Sequence, residues 1–374
     1  MQIEPFRAVI PDMGLISSAD HFFGTVKEKF NDYLASGYYQ PLPEEGLFAC
    51  TIERPERTHT GLVACVDMQA YFDGHIKRHE KTLAASEQEQ ILQLINKKAH
   101  VKPVMLTYRH VDEIEELLLN YVANHEHFLE TVFETNGETH RFWHIKDQAL
   151  IQQLQALFVE HVKSVYISDG HHRTSSNALM FKRLGVKNPD NPFRWLPCSL
   201  FPTSEVEIFD FNRIIEGMND FSPASFMAKL SKLFEIDLLE YAQKPSRKHE
   251  LTMYLDKEWY RLTWRPAILE AHKNDPVILD VSLLNEKVLV EILGITDVRT
   301  DLRVKYMQGI KTMAALRERT LKAEERFAFC LYPITIEDFL TISDEGGVLP
   351  PKSTWFEPRV RSGLLVQRFD MPPL

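Results

Sequence analysis

The 374-residue sequence has few cysteines, no long apolar run and no excess of basic residues. Its four cysteines lie far apart and form no Cys-x-x-Cys pair, which is typical of reduced core residues rather than of disulfides. No run approaches the ~20 apolar residues of a membrane helix, and the first residues show no basic segment followed by an apolar one. These absences predict a cytoplasmic protein that does not bind a membrane.

Charge and missing motifs argue against further classes of protein. The chain has 43 Lys and Arg against 53 Asp and Glu, and its net charge of −10 argues against a broad nucleic-acid-binding surface. It contains no Gly-x-Gly-x-x-Gly and no Gly-x-Ser-x-Gly motif. Lys352-Ser353 does not belong to a Walker A loop, because Pro350 and Pro351 stand where that loop needs glycine. A local basic pocket for a small anion is compatible with this composition.

Apolar residues alternate between helical and strand spacing, which predicts an α+β fold with a mixed sheet and flanking helices. The predicted helices are 18–35, 84–98, 111–123, 148–162, 173–184, 279–293, 309–322 and 336–342, with one more capped by Ser222. The predicted strands are 47–52, 61–66, 101–108, 165–167, 195–201 and 327–332, with hairpins at 128–145 and 250–265. A boundary near residue 215 divides the chain into regions 1–215 and 216–374.

Residues 164–178 contain a short apolar strand, a turn at Asp169-Gly170 and the start of a helix. The N-terminus of a helix has free N–H groups that favour an anion. The residues expected at that position are three potential cations, His171, His172 and Arg173, followed by the hydroxyls of Thr174, Ser175 and Ser176. The apolar side of the helix is expected to consist of Ala178, Leu179, Phe181 and Leu184. This cluster predicts a bound phosphate; the alternative is a polar turn with solvated histidines.

Residues 71–82 form a second segment that is rich in titratable groups. Lys77, Arg78 and His79 are candidate phosphate ligands, and Glu80 beside them is a candidate general base. A zinc site at His75 and His79 is one alternative, although Lys77 and Arg78 would repel the ion. A charged surface loop is the other.

Residues 350–359 form a third segment, which three prolines stiffen. Within it, Lys352, Ser353 and Thr354 are candidate donors to a phosphate or a nucleotide. Trp355 and Phe356 can stack on a base or pack in the core.

Five motifs together resemble the bacterial domain-of-unknown-function family numbered one thousand and fifteen. They are Tyr-x-x-Gly-x-Ile-Lys-Arg-His-Glu-x-Thr (71–82), His-x-x-Trp (140–143), Tyr-Ile-x-Asp-Gly-His-His-Arg (166–173), Leu-Asp-Val-Ser-x-Leu (279–284) and Pro-Pro-Lys-Ser-Thr-x-Phe-x-Pro-Arg-x-x-Ser-Gly-Leu (350–364). The sequence departs from the family pattern at 10–14 and at Asn212.

The Asp-Gly-His-His-Arg box is similar to the phosphate-binding box of the ParB/sulfiredoxin fold, and most similar to that of free serine kinases. Those enzymes use ADP or ATP to convert L-serine to O-phosphoserine. The resemblance therefore implies a ParB/sulfiredoxin-like core in 1–215, elaborated by a C-terminal α+β region in 216–374, from which 349–364 is a candidate to return to the site. It implies a nucleotide-phosphate site formed by Asp169, Gly170, His171, His172 and Arg173. The charged and hydroxyl residues of the three segments are further candidates for this site by their chemistry: Thr174, Lys77, Arg78, His79, Lys352, Ser353 and Thr354.

The resemblance favours a small-molecule kinase with ATP or ADP and Mg²⁺ as cofactors and L-serine as the expected acceptor. Glu80, His172 and Asp169 are its candidate catalytic residues, and Asp169 is the candidate metal ligand. Two alternatives remain open: a non-catalytic sensor of a phosphorylated metabolite or nucleotide, and a ParB-like nucleotide switch linked to DNA partitioning. The last would need a basic face, and no nucleic-acid partner is expected.

Overall fold

A computed structural model gives the fold, and it describes residues 1–322 and 326–370. The chain folds as two units. The first runs from Met1 to Val206 and resumes at Pro358, and the second is the continuous stretch Glu207–Glu357.

The first unit contains thirteen strands among the described residues. They are β1 (Ile3–Glu4), β2 (Ala8–Pro11), β3 (Tyr39–Pro41), β4 (Leu47–Glu53), β5 (Thr58–Asp67), β6 (Ile76–Lys77), β7 (Ala99–His100), β8 (Val104–Tyr108), β9 (Leu129–Phe133), β10 (Glu138–Ile145), β11 (Val165–Asp169), β12 (Trp195–Pro202) and, after the second unit, β21 (Val366–Arg368). Its helices are α1 (Ala19–Ala35), α2 (Gln69–Phe72), α3 (Ala84–Lys97), α4 (Asp112–Asn124), α5 (Gln148–His161) and α6 (His171–Arg183).

Nine strands of this unit form one mixed sheet in the order β6-β11-β8-β12-β5-β4-β10-β9, with β1 also paired to β5. The strands β11 and β6 are parallel, and Tyr166 lies opposite Lys77. The pairing of β11 with antiparallel β8 is irregular between Ile167 and Asp169, just before the chain turns. Because β6 and β11 are neighbours, the segment around 77–80 lies beside the box at 169–173.

A smaller sheet holds the chain that returns to the first unit. Its order is β3-β2-β21-β7, so β21 is an inner strand between β2 and β7. The amide of Gly363 donates to the carbonyl oxygen of Val101 over 2.7 Å. The tyrosyl hydroxyl of Tyr39 donates to the carbonyl oxygen of Gly363 over 3.0 Å. These contacts fix the segment after Pro358 against β3 and against the loop that precedes β8.

The second unit contains eight strands among the described residues, and six of them form an antiparallel sheet. Its strands are β13 (Glu207–Phe209), β14 (Phe211–Glu216), β15 (Phe234–Leu239), β16 (Glu250–Leu255), β17 (Glu258–Trp264), β18 (Val304–Gln308), β19 (Arg326–Leu331) and β20 (Trp355–Glu357). The sheet order is β15-β17-β16-β19-β14-β18, and β13 pairs with β20 separately. Its helices are α7 (Pro223–Leu230), α8 (Pro266–Ala271), α9 (Asp280–Leu283), α10 (Met313–Thr320) and α11 (Ile336–Asp344).

The predicted class, α+β with a mixed sheet and flanking helices, is confirmed. Local signals place several boundaries correctly: Ser18 and Ser222 cap α1 and α7 with their hydroxyls, and Asn136-Gly137 lies between the paired strands β9 and β10. The predicted helix 279–293 is α-helical only over Asp280–Leu283 and continues as a π-helix over Leu284–Val290. The predicted helix from residue 309 begins at Met313, because the side chain of Thr312 caps it there.

The apolar side predicted for α6 needs a correction. Leu179 is 43% exposed, whereas the buried face of the helix carries mostly small and polar side chains. That face includes Thr174, Ser176, Asn177, Ala178 and Phe181. A helix whose buried face is polar cannot be oriented from its apolar residues alone, which is why the periodicity misplaced Leu179.

Candidate functional site

The turn between β11 and α6 requires glycine. Gly170 has φ +108°, and a Cβ added to it would lie 2.8 Å from a guanidinium nitrogen of Arg173. With this turn, α6 begins at His171, two residues earlier than the sequence predicted. The amide of Thr174 donates to the carbonyl oxygen of Gly170 over 2.9 Å. The N–H groups at the start of α6 therefore follow directly on Asp169 and Gly170.

Three cationic side chains meet at the carboxylate of Asp169. Lys102 Nζ lies 3.0 Å and Arg173 Nη2 lies 2.6 Å from Oδ2, and Arg359 Nη1 lies 3.1 Å from Oδ1. All four side chains are only 18–23% exposed. Three cations share one carboxylate in a partly desolvated place, and such a cluster of cations favours an anionic ligand.

The protonation of this cluster follows from its geometry. Burial alone would raise the pKa of Asp169, but Lys102, Arg173 and Arg359 hold that pKa far below its ordinary value. Burial lowers the pKa of Lys102 to about 8, and the attraction of Asp169 opposes that effect. At neutral pH the carboxyl group is therefore ionised and the three side chains around it are cationic.

Arg173 is held by the backbone as well as by Asp169. Its Nη1 donates to the carbonyl oxygens of Lys102 and Pro103 over 2.9 and 2.6 Å. These two bonds fix the guanidinium independently of the carboxylate.

Glu80 and His79 lie against the box, next to His171. Glu80 Oε2 is 3.4 Å from His171 Nδ1, and the rings of His79 and His171 meet edge to face with centroids 4.4 Å apart. Burial lowers the pKa of His171 to about 4 and that of His79 well below its ordinary value. Both rings are therefore neutral at pH 7, so His171 is not one of the cations that the sequence suggested.

The other polar side chains at the start of α6 bond to the protein itself, three of them to α3 or to the residue just before it. His172 Nε2 accepts a hydrogen bond of 3.2 Å from the amide of Leu83, just before α3. The hydroxyl of Thr174 donates to the carbonyl oxygen of Gly170 over 3.1 Å. Ser175 donates to the carboxylate of Glu87 in α3, and Ser176 donates to its carbonyl oxygen. The hydroxyls that were expected to face a phosphate thus contact the protein.

Lys77 and Arg78 lie on and just after the edge strand β6. Lys77 is opposite Tyr166 of the box strand. The Arg78 guanidinium lies 5.5 Å from the centre of the Tyr71 ring and donates to its hydroxyl over 3.3 Å. Arg78 is exposed.

Lys352, Ser353 and Thr354 belong to the second unit. Lys352 has φ +55°, and its ammonium lies 5.4 Å from the centre of the Phe211 ring. The buried Arg213 donates to the carbonyl oxygen of Lys352 over 3.3 Å. Their assignment to the phosphate site stays a prediction.

Sequence reasoning missed Lys102 and Arg359 as site residues. Arg359 had a signal, since it closes the Pro-Pro-Lys-Ser-Thr-x-Phe-x-Pro-Arg motif. Lys102 had none, because a lone lysine before a buried strand resembles any other surface lysine.

The donor set fits a phosphate better than a metal cage. Among residues 1–322 and 326–370, no three His, Cys, Asp or Glu residues are grouped so that they could hold a metal ion. Mg²⁺ is usually bound by one or two carboxylates together with phosphate oxygens, so it would have to enter with a nucleotide.

Within residues 1–322 and 326–370, no helix has both the length and the apolar character that crossing a membrane requires.

Comparison with known proteins gives a family and distant structural neighbours. The model of a family described as a protein of unknown function (DUF1015) matches residues 10–282, which confirms the resemblance seen in the motifs. No curated protein matches the chain. A free serine kinase variant in complex with ADP is 13% identical, with a TM-score of 0.39, over 81% of this chain and 92% of that chain.

Two further structures are comparably distant. SbnI with a C-terminal truncation, from Staphylococcus aureus, is 12% identical with a TM-score of 0.42, over 82% of this chain and 87% of that chain. A conserved hypothetical protein from Pyrococcus furiosus is 12% identical with a TM-score of 0.39, over 82% of this chain and 95% of that chain. At these identities and TM-scores, what the three proteins bind does not transfer to this chain.

Proposed function

The chain belongs to the DUF1015 family, and from that premise we propose that it is a small-molecule kinase that transfers a phosphoryl group from ATP or ADP to a hydroxyl group. L-serine is the acceptor that the motif resemblance favours. The observation that carries the proposal is the group of Lys102, Arg173 and Arg359 at the start of α6, with Glu80 beside it.

Phosphoryl transfer requires a protein mainly to position the reactants and to neutralise the charge of the phosphate oxygens. The N–H groups at the start of α6 can position a phosphate group, and the three cations nearby can neutralise its charge. Arg173 is well suited to grip two oxygens, because its planar guanidinium is already oriented by two carbonyl oxygens.

Glu80 is the candidate general base. Its side chain is 45% exposed, so a substrate hydroxyl can reach it, and the adjacent His171 ring is buried. Because His171 is neutral at pH 7, its Nδ1–H can donate to Glu80 and orient the carboxylate without neutralising it. In the proposed step Glu80 takes the hydroxyl proton, the hydroxyl oxygen bonds to the terminal phosphorus, and the bond from phosphorus to the departing ADP or AMP breaks.

The phosphates of the nucleotide would be held by Gly170, His171, His172 and Arg173. Further contacts would come from Lys77, Arg78 and His79. Bound Mg²⁺ would neutralise charge on the phosphate oxygens. The role of Asp169 as a ligand of this Mg²⁺ stays a prediction. In the structure its carboxylate contacts three cationic side chains.

The test is an assay with L-serine, Mg²⁺ and either ATP or ADP, in which O-phosphoserine is measured by mass spectrometry. We expect turnover with one of the two nucleotides. We expect Glu80→Gln to lower kcat by about 10²-fold or more, the usual contribution of a general base. Glu116→Gln, an exposed change on α4, is the matched control and should leave turnover unaltered.

Absence of phosphoserine with either nucleotide, from folded protein, would contradict the proposal. Thermal stabilisation by phosphoserine without any turnover would instead favour a non-catalytic sensor.

A further inference from the structure

We infer that Asp169 is a resident counter-ion that a phosphate group displaces, and that Lys102 and Arg359 bind that phosphate together with Arg173. This inference deepens the proposed function and rests on it for the identity of the ligand as part of a nucleotide. It names two phosphate ligands, Lys102 and Arg359, that were not among the predicted site residues, and it gives Asp169 a role different from that of a metal ligand.

The carboxylate of Asp169 contacts three cations, whereas a simple ion pair joins one anion to one cation. Oδ2 contacts Lys102 and Arg173, and Oδ1 contacts Arg359, all within 3.1 Å. Three cations therefore contact one carboxylate at a place where each side chain is about one-fifth exposed. A diphosphate carries more negative oxygens than a carboxylate and can balance the three cations more completely.

The Arg173 side chain and the chain just beyond Arg359 are held by contacts that do not involve Asp169, so both can stay in place when that carboxylate is displaced. Arg173 is bound to the carbonyl oxygens of Lys102 and Pro103. Two residues beyond Arg359, Arg361 Nη2 donates to Glu138 Oε2 over 2.7 Å, and the Gly363 amide donates to the Val101 carbonyl oxygen.

A divalent cation fits this place poorly. It would bring two more positive charges next to three existing ones and would compete with them for the same two oxygens. A metal-free phosphate group would instead lower the repulsion among the three cations. The geometry therefore favours a phosphate group that binds directly to the three cationic side chains, without a bridging metal ion.

The experiment is calorimetric titration of the full chain with inorganic pyrophosphate, with EDTA present and then with Mg²⁺. We expect metal-free binding to the native sequence. Asp169→Asn removes the competing carboxylate, so we expect roughly tenfold tighter metal-free binding, the size of one charge-assisted hydrogen bond. Arg359→Gln should weaken metal-free binding by a similar factor, since it removes one of the three cations.

Arg368→Gln, an exposed change on β21 in the same returning segment, is the matched control and should bind as the native chain does. Weaker or unchanged metal-free binding by folded Asp169→Asn would overturn the inference, as would an effect seen only with Mg²⁺. If Asp169→Asn does not fold, Arg359→Gln decides, and native affinity in that variant would overturn the inference.

The two proposals can fail separately. A chain that binds pyrophosphate as described but never forms phosphoserine fails as a kinase and leaves the counter-ion role intact. A chain that forms phosphoserine but shows no tightening in Asp169→Asn fails this inference alone.

Discussion

Among single residues, the box depends on Gly170 and on the charged side chain of Arg173, and a substitution at one of them affects the other. A Cβ added to Gly170 would lie 2.8 Å from the Arg173 guanidinium, closer than a real Cβ contact allows. Arg173 cannot move aside freely, because Asp169 and two carbonyl oxygens hold it. The conformation of the turn and the position of the cation are therefore coupled.

Gly170→Ala should lower the free energy of unfolding by about 3 kcal/mol, of which roughly 1 is backbone strain and the rest a weakened charged hydrogen bond. Chemical denaturation measures this change. Gly37→Ala is the control: Gly37 also has positive φ, at +80°, but a Cβ there meets no atom within 4 Å. It should cost only the strain, and equal losses in the two variants would show that Arg173 is not constrained as described.

At the scale of elements, the hairpin β9–β10 anchors the returning C-terminal segment through a buried carboxylate. Glu138 accepts hydrogen bonds from Arg361 over 2.7 and 3.2 Å and lies 3.6 Å from His140 Nε2. Burial by itself raises the pKa of Glu138, but His140 and Arg361 outweigh it and lower that pKa to about 2. The ionised carboxylate thus ties β10 to the segment that carries Arg359.

Because the pKa of Glu138 is lower in the folded than in the unfolded chain, the unfolded chain binds more protons between pH 4.5 and about 2. The stabilisation is therefore complete above pH 4.5 and is lost as pH falls through that window, by about 3 kcal/mol at most. Glu138→Gln should lower the free energy of unfolding at pH 7 and flatten its fall in acid. Glu134→Gln, exposed on the same hairpin, should keep the native pH profile; an unchanged profile in Glu138→Gln would contradict the assignment.

At the scale of the whole molecule, the second unit is one continuous stretch and the first is not. Glu207–Glu357 contains a complete six-stranded sheet and a buried cluster of its own, which includes Ile214, Tyr254 and Leu316. Residues 1–206 alone lack β21, an inner strand of the smaller sheet, and lack Arg359.

We therefore expect residues 207–357 to fold when expressed alone, with a cooperative thermal transition by circular dichroism and dispersed amide signals by NMR. Residues 1–206 alone should not give such a transition, because an inner strand is missing. Loss of cooperativity in the isolated second unit would show that its core does not suffice.

Features that depend on near neighbours along the chain can be predicted from the sequence alone. Ser18 and Ser222 mark helix starts because a cap bonds to an amide three residues on, and Asn136-Gly137 marks a hairpin because the turn needs its backbone angles. The strand, turn and helix of the box are local in the same sense, and so is the placement of Asp169 and Gly170 before α6. The pairing of β6 with β11, which brings Glu80 to His171, was not readable in this way.

Which charged groups meet and which groups lose their charge depends on long-range contacts and burial in the folded chain. Asp169 contacts Lys102, 67 residues away, and Arg359, 190 residues away, and no local spacing encodes either contact. His171 was a candidate cation in the sequence and is neutral in the fold, because burial penalises its charged form. Desolvation and long-range pairing are properties of the packed chain, so local spacing in the sequence could not predict these contacts or the loss of charge on His171.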